Sequence, residues 1–162
     1  MAGIYIHIPF CRRACHYCDF HFTTNLKRSA ELVDTIVSEI ALRANYLNRE
    51  SVKTIYFGGG TPSLLPTTDI ARILEAIHKA QSVEAEIELT LEANPEDLSA
   101  EKLLELRSIG VNRLSLGTQS FIDSELQWMN RMHSADQAQS CIQDAQGIGF
   151  NNISIDLIFG LP

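Results

Sequence analysis

The chain has 162 residues, with Lys plus Arg at 13 against Asp plus Glu at 20, a formal net charge of −7. Its 45% hydrophobic and 20% charged content is that of a folded domain and excludes a disordered one. The acidic balance argues against a nucleic-acid partner, no apolar run approaches the ~18 residues of a membrane span, and no secretory leader is visible, so a cytoplasmic location is expected.

Ile4-Tyr5-Ile6-His7-Ile8 reads as a first strand, stopped by Pro9. Residues 29–47 carry Leu32, Val33, Ile36, Val37, Ile40 and Ala44 at three- and four-residue spacing, one apolar face of a helix. Thr54-Ile55-Tyr56-Phe57 is a second strand that stops at Gly58-Gly59-Gly60. The next helix has Thr68 as its expected N-cap, with Ile70, Ile73, Leu74 and Ile77 on one side. Residues 86–92 alternate strictly, which predicts a strand with one polar and one apolar face. Ser99 is expected to cap a short helix carrying Leu103, Leu104 and Leu106, closed by Gly110. Residues 113–117 form the fourth strand. Residues 134–146 form a helix with Ala138, Cys141, Ile142 and Ala145 inward, broken by Gly147 and Gly149, and residues 153–158 are the fifth strand.

Five strands interleaved with four helical stretches predict an α/β fold with a parallel sheet and right-handed crossovers. Two layouts stay open at this point: a doubly wound sheet, or a full or partial β/α barrel. The chain stops at Gly160-Leu161-Pro162, directly after the fifth strand. Residues 1–162 are therefore read as the N-terminal part of a core domain truncated after that strand, with a C-terminal domain outside the chain. An unpaired sheet edge and uncovered apolar surface predict that such a piece associates.

Four cysteines without a leader point to metal or catalysis rather than disulfides. Cys11, Cys15 and Cys18 lie in the loop after the first strand, whereas Cys141 sits on an inward helix face. Three readings fit the spacing. Zinc would take the three thiols plus His16 or His21. A dithiol redox pair would use Cys15 and Cys18 and leave Cys11 idle. An iron–sulfur cluster held by three thiolates would keep one iron open for chemistry.

The run Tyr5-Ile6-His7-Ile8-Pro9-Phe10-Cys11 through Cys15, Tyr17 and Cys18 resembles the cluster motif of the radical S-adenosylmethionine superfamily. Within it, the chain is similar to the oxygen-independent coproporphyrinogen III oxidase-like family. Further segments carry the likeness in order: Gly58-Gly59-Gly60-Thr61-Pro62-Ser63, Leu91-Glu92-Ala93-Asn94-Pro95, residues 110–121 and residues 154–162. The resemblance favours a partial β/α barrel of roughly six strands, of which this chain would hold five.

The resemblance implies a 4Fe-4S cluster on Cys11, Cys15 and Cys18, with S-adenosyl-L-methionine chelating the open iron. One electron from the reduced cluster, fed by a reductant protein, would release methionine and a 5′-deoxyadenosyl radical. Tyr5 and Tyr17 would lie against the cofactor, and Gly59, Gly60 and Thr61 would approach its methionine end. Glu92, Gln119, Arg131 and Asp156 match the cofactor-binding polar positions: acceptors for ribose hydroxyls or the ammonium, an amide that donates and accepts, and a fixed cation for the carboxylate. His7, His78 and His133 are read as structural, His16 and His21 as outer partners that tune the cluster, and Trp128 and Met129 as packing.

Two departures point to one branch. The oxidases of this family carry another cysteine where this chain has Phe20, and an extension where only Met1, Ala2 and Gly3 precede the first strand. Both features resemble the haem chaperone branch, which implies haem as cargo, bound outside this chain, and haem-dependent respiratory proteins as clients. The second reading is the oxidase itself, converting propionates to vinyls. A third, of another class, is a zinc-stabilised α/β binding domain.

Overall fold

The computed structural model describes residues 2–161. Five strands run in the order β1 (Ala2–Ile8), β2 (Val52–Gly59), β3 (Val83–Ala93), β4 (Arg113–Gln119) and β5 (Asn152–Leu157). Five helices connect them: α1 (Ser29–Leu42), α2 (Thr67–Ala80), α3 (Ala100–Ser108), α4 (Asp123–Trp128) and α5 (Ala135–Ile148). Neighbours in sequence are neighbours in the sheet, β1-β2-β3-β4-β5, and every pairing is parallel. That monotonic order rules out the doubly wound layout, whose strand order reverses at a switch point. The fold is a partial, unclosed β/α barrel.

Alternation along the strands sorts the residues onto two faces. On the helix side, Ile6, Ile8, Ile55, Phe57, Leu89, Leu91, Leu114 and Leu116 are buried. Against them pack Val33 of α1, Ile70, Ile73 and Ile77 of α2, Leu103 and Leu106 of α3, and Cys141 and Ala145 of α5. Each large side chain removed from water on this face contributes ~1.5–3 kcal/mol.

The caps divide into met and unmet expectations. Ser99 accepts from the Lys102 amide at the start of α3. Ser134 and Gln137 form a reciprocal capping box on α5, and Gly149 closes it at φ 99. Thr68 is not a cap. α2 starts at Thr67 directly after Pro66, whose fixed ring holds the extended entry (φ −54, ψ 142). α1 ends at Leu42 rather than near 47, because residues 43–49 fold into turns with Asn48 and Arg49 at φ 49 and 67. Among the described residues, no helix is long and apolar enough to cross a membrane.

Candidate functional site

The C-terminal strand ends and the loops beyond them enclose an open cavity of about 470 Å³. In parallel α/β architecture this is the end that carries ligands. The cavity wall includes Cys11, Cys15, Cys18, Tyr5, Tyr17, Gly59, Gly60, Thr61, Glu92, Gln119, Arg131 and Asp156. The three cysteines and the nine residues that the resemblance assigns to the cofactor are thus brought to one place by five different strands and their loops.

The concave face supplies the polar lining. Tyr5 of β1 lies beside Tyr56 of β2, which lies beside Thr90 of β3 and then Arg113 of β4. One step further along, Glu92, Ser115 and Ser154 are neighbours. Tyr56 donates to Glu92 Oε1 at 2.7 Å and the Gly59 amide donates to Oε2 at 3.0 Å. Glu92 therefore fixes the glycine turn as well as facing the cavity. Burial and this hydrogen bond push the Tyr56 phenol up to about 12.

The glycine turn comes close to the cysteine loop. A Cβ on Gly60 would sit 2.6 Å from the Phe10 carbonyl oxygen and 3.0 Å from Cys11 Sγ. Only a residue without a side chain permits that approach. Thr61, buried beside it, donates to Cys11 Sγ at 3.6 Å and accepts from Asn94 Nδ2 at 3.3 Å.

Arg131 ties the far side together. Its Nη1 donates to Cys15 Sγ at 3.5 Å and to the Tyr17 hydroxyl at 3.4 Å. Its Nη2 donates to Asn94 Oδ1 at 2.7 Å and the Gly117 carbonyl at 2.6 Å. Its Nε is buried without a hydrogen-bond partner among the described residues. Gln119 ends β4 in the left-handed region at φ 65, a conformation that costs energy for a side-chain-bearing residue and that recurs at functional sites. Asp156 is exposed on β5 and lines the cavity mouth.

The donor chemistry fits an iron–sulfur cluster. Three thiols face one cavity, and two of them already accept hydrogen bonds of the kind that tune cluster sulfur. Among the described residues, no three His, Cys, Asp or Glu side chains converge closely enough to grip a single ion. A cluster that gives each thiolate its own iron does not require such convergence, whereas one tetrahedral ion does. Burial pushes the Cys11 thiol up, the Thr61 hydroxyl partly offsets this, and the neighbouring Cys18 and Cys15 add to the rise. A bound cation reverses that balance by stabilising the thiolate. Cys141 lies apart in the α5 packing face, where burial pushes its thiol up to about 11.

The histidines divide differently from the sequence reading. His133 is buried, with Nε2 donating to the Thr118 carbonyl at 3.0 Å and Nδ1 2.9 Å from Glu96. His7 is not a core residue. It is exposed on the concave face, lines the cavity and meets the Tyr5 hydroxyl at 3.2 Å. His78 is exposed on α2. His21 lines the cavity, whereas His16 turns to the Trp128 carbonyl. Met129 is fully buried, whereas Trp128 is 46% exposed. The sequence reading missed Asn94 and Asn130, which the fold brings to the cavity, and Tyr56, which holds Glu92 from β2.

The sequence profile of the Radical SAM superfamily matches residues 5–162. The "Heme chaperone HemW" of Bacillus subtilis (strain 168) is 40% identical across 100% of this chain and 43% of its own length. The bovine "Radical S-adenosyl methionine domain-containing protein 1, mitochondrial" is 39% identical across 99% of this chain and 37% of its own. The solved structure of the radical SAM enzyme coproporphyrinogen III oxidase (HemN) of Escherichia coli superposes with a TM-score of 0.91 at 31% identity, over 99% of this chain and 37% of that one. The chain spans less than half the length of each of these proteins. Three thiols and a glycine turn meeting at the strand ends of an open parallel barrel, with a family match over nearly the whole length, establish that the chain belongs to the radical SAM superfamily.

Proposed function

We propose that this chain is the N-terminal, cofactor-binding part of a cytoplasmic haem chaperone of the radical SAM superfamily. Cys11, Cys15 and Cys18 hold a 4Fe-4S cluster, and S-adenosyl-L-methionine lies across Gly59, Gly60, Thr61, Glu92, Gln119, Arg131 and Asp156, with Tyr5 and Tyr17 against it. The observation that carries this reading is the convergence of the three thiols and those polar groups on one cavity. When bound, the cluster and its sulfonium ligand supply one-electron chemistry.

The chain's own residues then have distinct tasks. The turn at Gly59–Thr61 lets backbone approach a ligand and Cys11 together. Arg131 places a permanent cation beside Cys15, with the Nε donor left for a ligand. Glu92 holds the turn and offers negative charge to an ammonium or to hydroxyls. Phe20, 78% exposed beside the cavity, stands where the oxidases carry a cysteine, and this favours the chaperone branch, as does the likeness to HemW. Haem, its respiratory client proteins and a reductant protein are the implied partners. The second reading is the oxidase, favoured by the close superposition on HemN.

Anaerobic reconstitution with iron and sulfide tests the first step. About four irons per chain and a reduced-state EPR signal that changes on adding S-adenosylmethionine are expected. One zinc with no iron, or a signal indifferent to the sulfonium, overturns it. Haem titration of the full-length protein, alongside turnover of coproporphyrinogen III, separates the branches. Haem binding without decarboxylation is expected; decarboxylation without haem binding assigns the oxidase.

A further inference from the structure

The cluster loop is joined to the segment after α4 residue by residue. Arg13 Nη1 donates to Asn130 Oδ1 at 3.3 Å, and Asn130 Nδ2 donates to the Ala14 carbonyl at 2.7 Å. Arg131 Nη1 donates to Cys15 Sγ at 3.5 Å. The His16 amide donates to the Met129 carbonyl at 3.1 Å, and His16 Nδ1–H donates to the Trp128 carbonyl at 2.6 Å. Four consecutive loop residues are therefore each bonded to the stretch 128–131, more than a hundred positions away in sequence.

The platform is itself held in place. Met129 is fully buried, which fixes the segment to the core. Asn130 is in the left-handed region at φ 61, where asparagine is tolerated better than most residues. The carbonyls of Trp128 and Met129 are the unpaired acceptors at the end of α4, and His16 satisfies both. The loop's near end is zipped as well. The Cys11 amide donates to the Thr23 carbonyl at 3.0 Å, the Thr23 amide donates to the Pro9 carbonyl at 2.8 Å, and Arg12 Nε donates at 2.9 Å to Asp97, whose side chain is 2% exposed.

From this pattern we infer that residues 128–131 form a dock that sets the cluster loop in its ligating shape through protein contacts alone, with Asn130 and His16 as positioning residues. The inference rests on reading Cys11, Cys15 and Cys18 as cluster ligands, but its first readout needs no cluster. The six-residue α4 has one buried residue, Leu126, and its first residue, Asp123, accepts from the Ala135 amide at the start of α5, which leaves the role of its C-terminal end open. The dock gives it a purpose. It aims its terminal carbonyls and the following turn at the loop.

Hydrogen exchange on the metal-free chain reads the dock directly. In the wild type the His16 amide is expected to exchange at least about tenfold more slowly than in an unstructured peptide. Asn130→Gly keeps the backbone conformation and removes both side-chain bonds, so His16 exchange should rise about tenfold while Ile55 and Leu91 stay protected. Asn130→Asp keeps the acceptor for Arg13 and loses the donor to Ala14, so a smaller rise is expected. Should Asn130→Gly also lose strand protection, Asn130→Asp carries the test. An unprotected His16 amide in the wild type, or unchanged exchange in the variants, overturns the dock. After anaerobic reconstitution, iron loss to a chelator should be severalfold faster in the variants; equal loss rates overturn the positioning role. A wild type that takes up no cluster sinks the proposed function instead and leaves the exchange result standing.

Discussion

The two faces of the sheet are built from the same five strands and do opposite things. On the convex face Ile6, Ile8, Ile55, Phe57, Leu91 and Leu114 are almost wholly removed from water under the helices. On the concave face the alternate positions carry Tyr5, His7, Tyr56, Thr90, Glu92, Arg113, Ser115, Ser154 and Asp156. An ordinary packed barrel would fill that interior with branched aliphatics. Here hydrogen-bonding groups lead up to the cavity. One residue of phase along a strand separates stability from binding.

The sharpest break of that contrast is a matched pair on adjacent positions of β2. Phe57→Ala empties a fully buried site and is expected to cost ~3–5 kcal/mol. Tyr56→Phe removes only the hydroxyl bonded to Glu92 and is expected to cost ~1–2 kcal/mol. Urea midpoints of the two variants decide. Equal losses would mean that the concave face carries as much of the fold as the convex one.

The glycines allow a second comparison, of intermediate size. At Gly60 a methyl would meet the Phe10 backbone at 2.6 Å, so Gly60→Ala must displace the strand-to-loop junction, at a cost of ~1–3 kcal/mol. At Gly147, inside α5, an added methyl meets nothing within 4 Å, and Gly147→Ala should stabilise by up to about 0.5–1 kcal/mol. The same thermal or urea scan measures both. Opposite signs are expected, and Gly60→Ala alone should lower iron uptake.

Much of this was legible in the sequence, and most of the failures come from distant partners, the Thr68 cap being the local exception. The strands follow from alternation and β-branching, so β1 to β5 all fall where the pattern puts them, with ends off by a few residues. Cys11, Gly59, Glu92, Gln119 and Asp156 are local motifs at strand ends, and they meet because the parallel topology gathers strand ends. What one-dimensional reading did not yield are interactions whose partners are distant and individually plain. His7 alternates with the buried Ile6 and Ile8, so its phase puts it on the concave face with Tyr5, and only the assembled cavity shows what that face is for. Asn130 has no motif, and α4 is too short to show periodicity. Thr68 was a sound cap by type, but Pro66 had already set the entry to the helix.

The pH dependence of the fold should trace to the rim of the cavity rather than to its floor. Burial raises the Glu96 carboxyl, but hydrogen bonds from His133 and its own backbone, with the Arg131 charge, bring it below its ordinary 4.5. A depressed carboxylate stabilises the fold above its unfolded value, and that stabilisation is lost as pH falls through the lower folded value. Wild type should therefore exceed Glu96→Gln by on the order of 1 kcal/mol at about pH 7, with the gap closing below about pH 4. Urea titrations at the two pH values test this. A gap independent of pH would assign the loss to packing around His133.

The smallest effect concerns where the apolar face runs out. At β1, Ile6 and Ile8 are buried, but at the opposite edge Ile155, Leu157 and Phe159 are 39%, 57% and 95% exposed. Among the described residues β5 has a sheet neighbour only in β4, so its outer edge offers unpaired backbone beside uncovered apolar side chains. Such an edge pairs readily with a second chain unless a charge guards it. The wild type is expected to sediment with concentration-dependent association. Leu157→Lys places a solvated charge on the edge and should weaken that association roughly fivefold, the equivalent of about 1 kcal/mol. A single compact monomer at every concentration would show that exposed side chains on β5 do not draw a partner. The convex face would then end in water at β5, and the contrast between the two faces would weaken from β1 towards that edge.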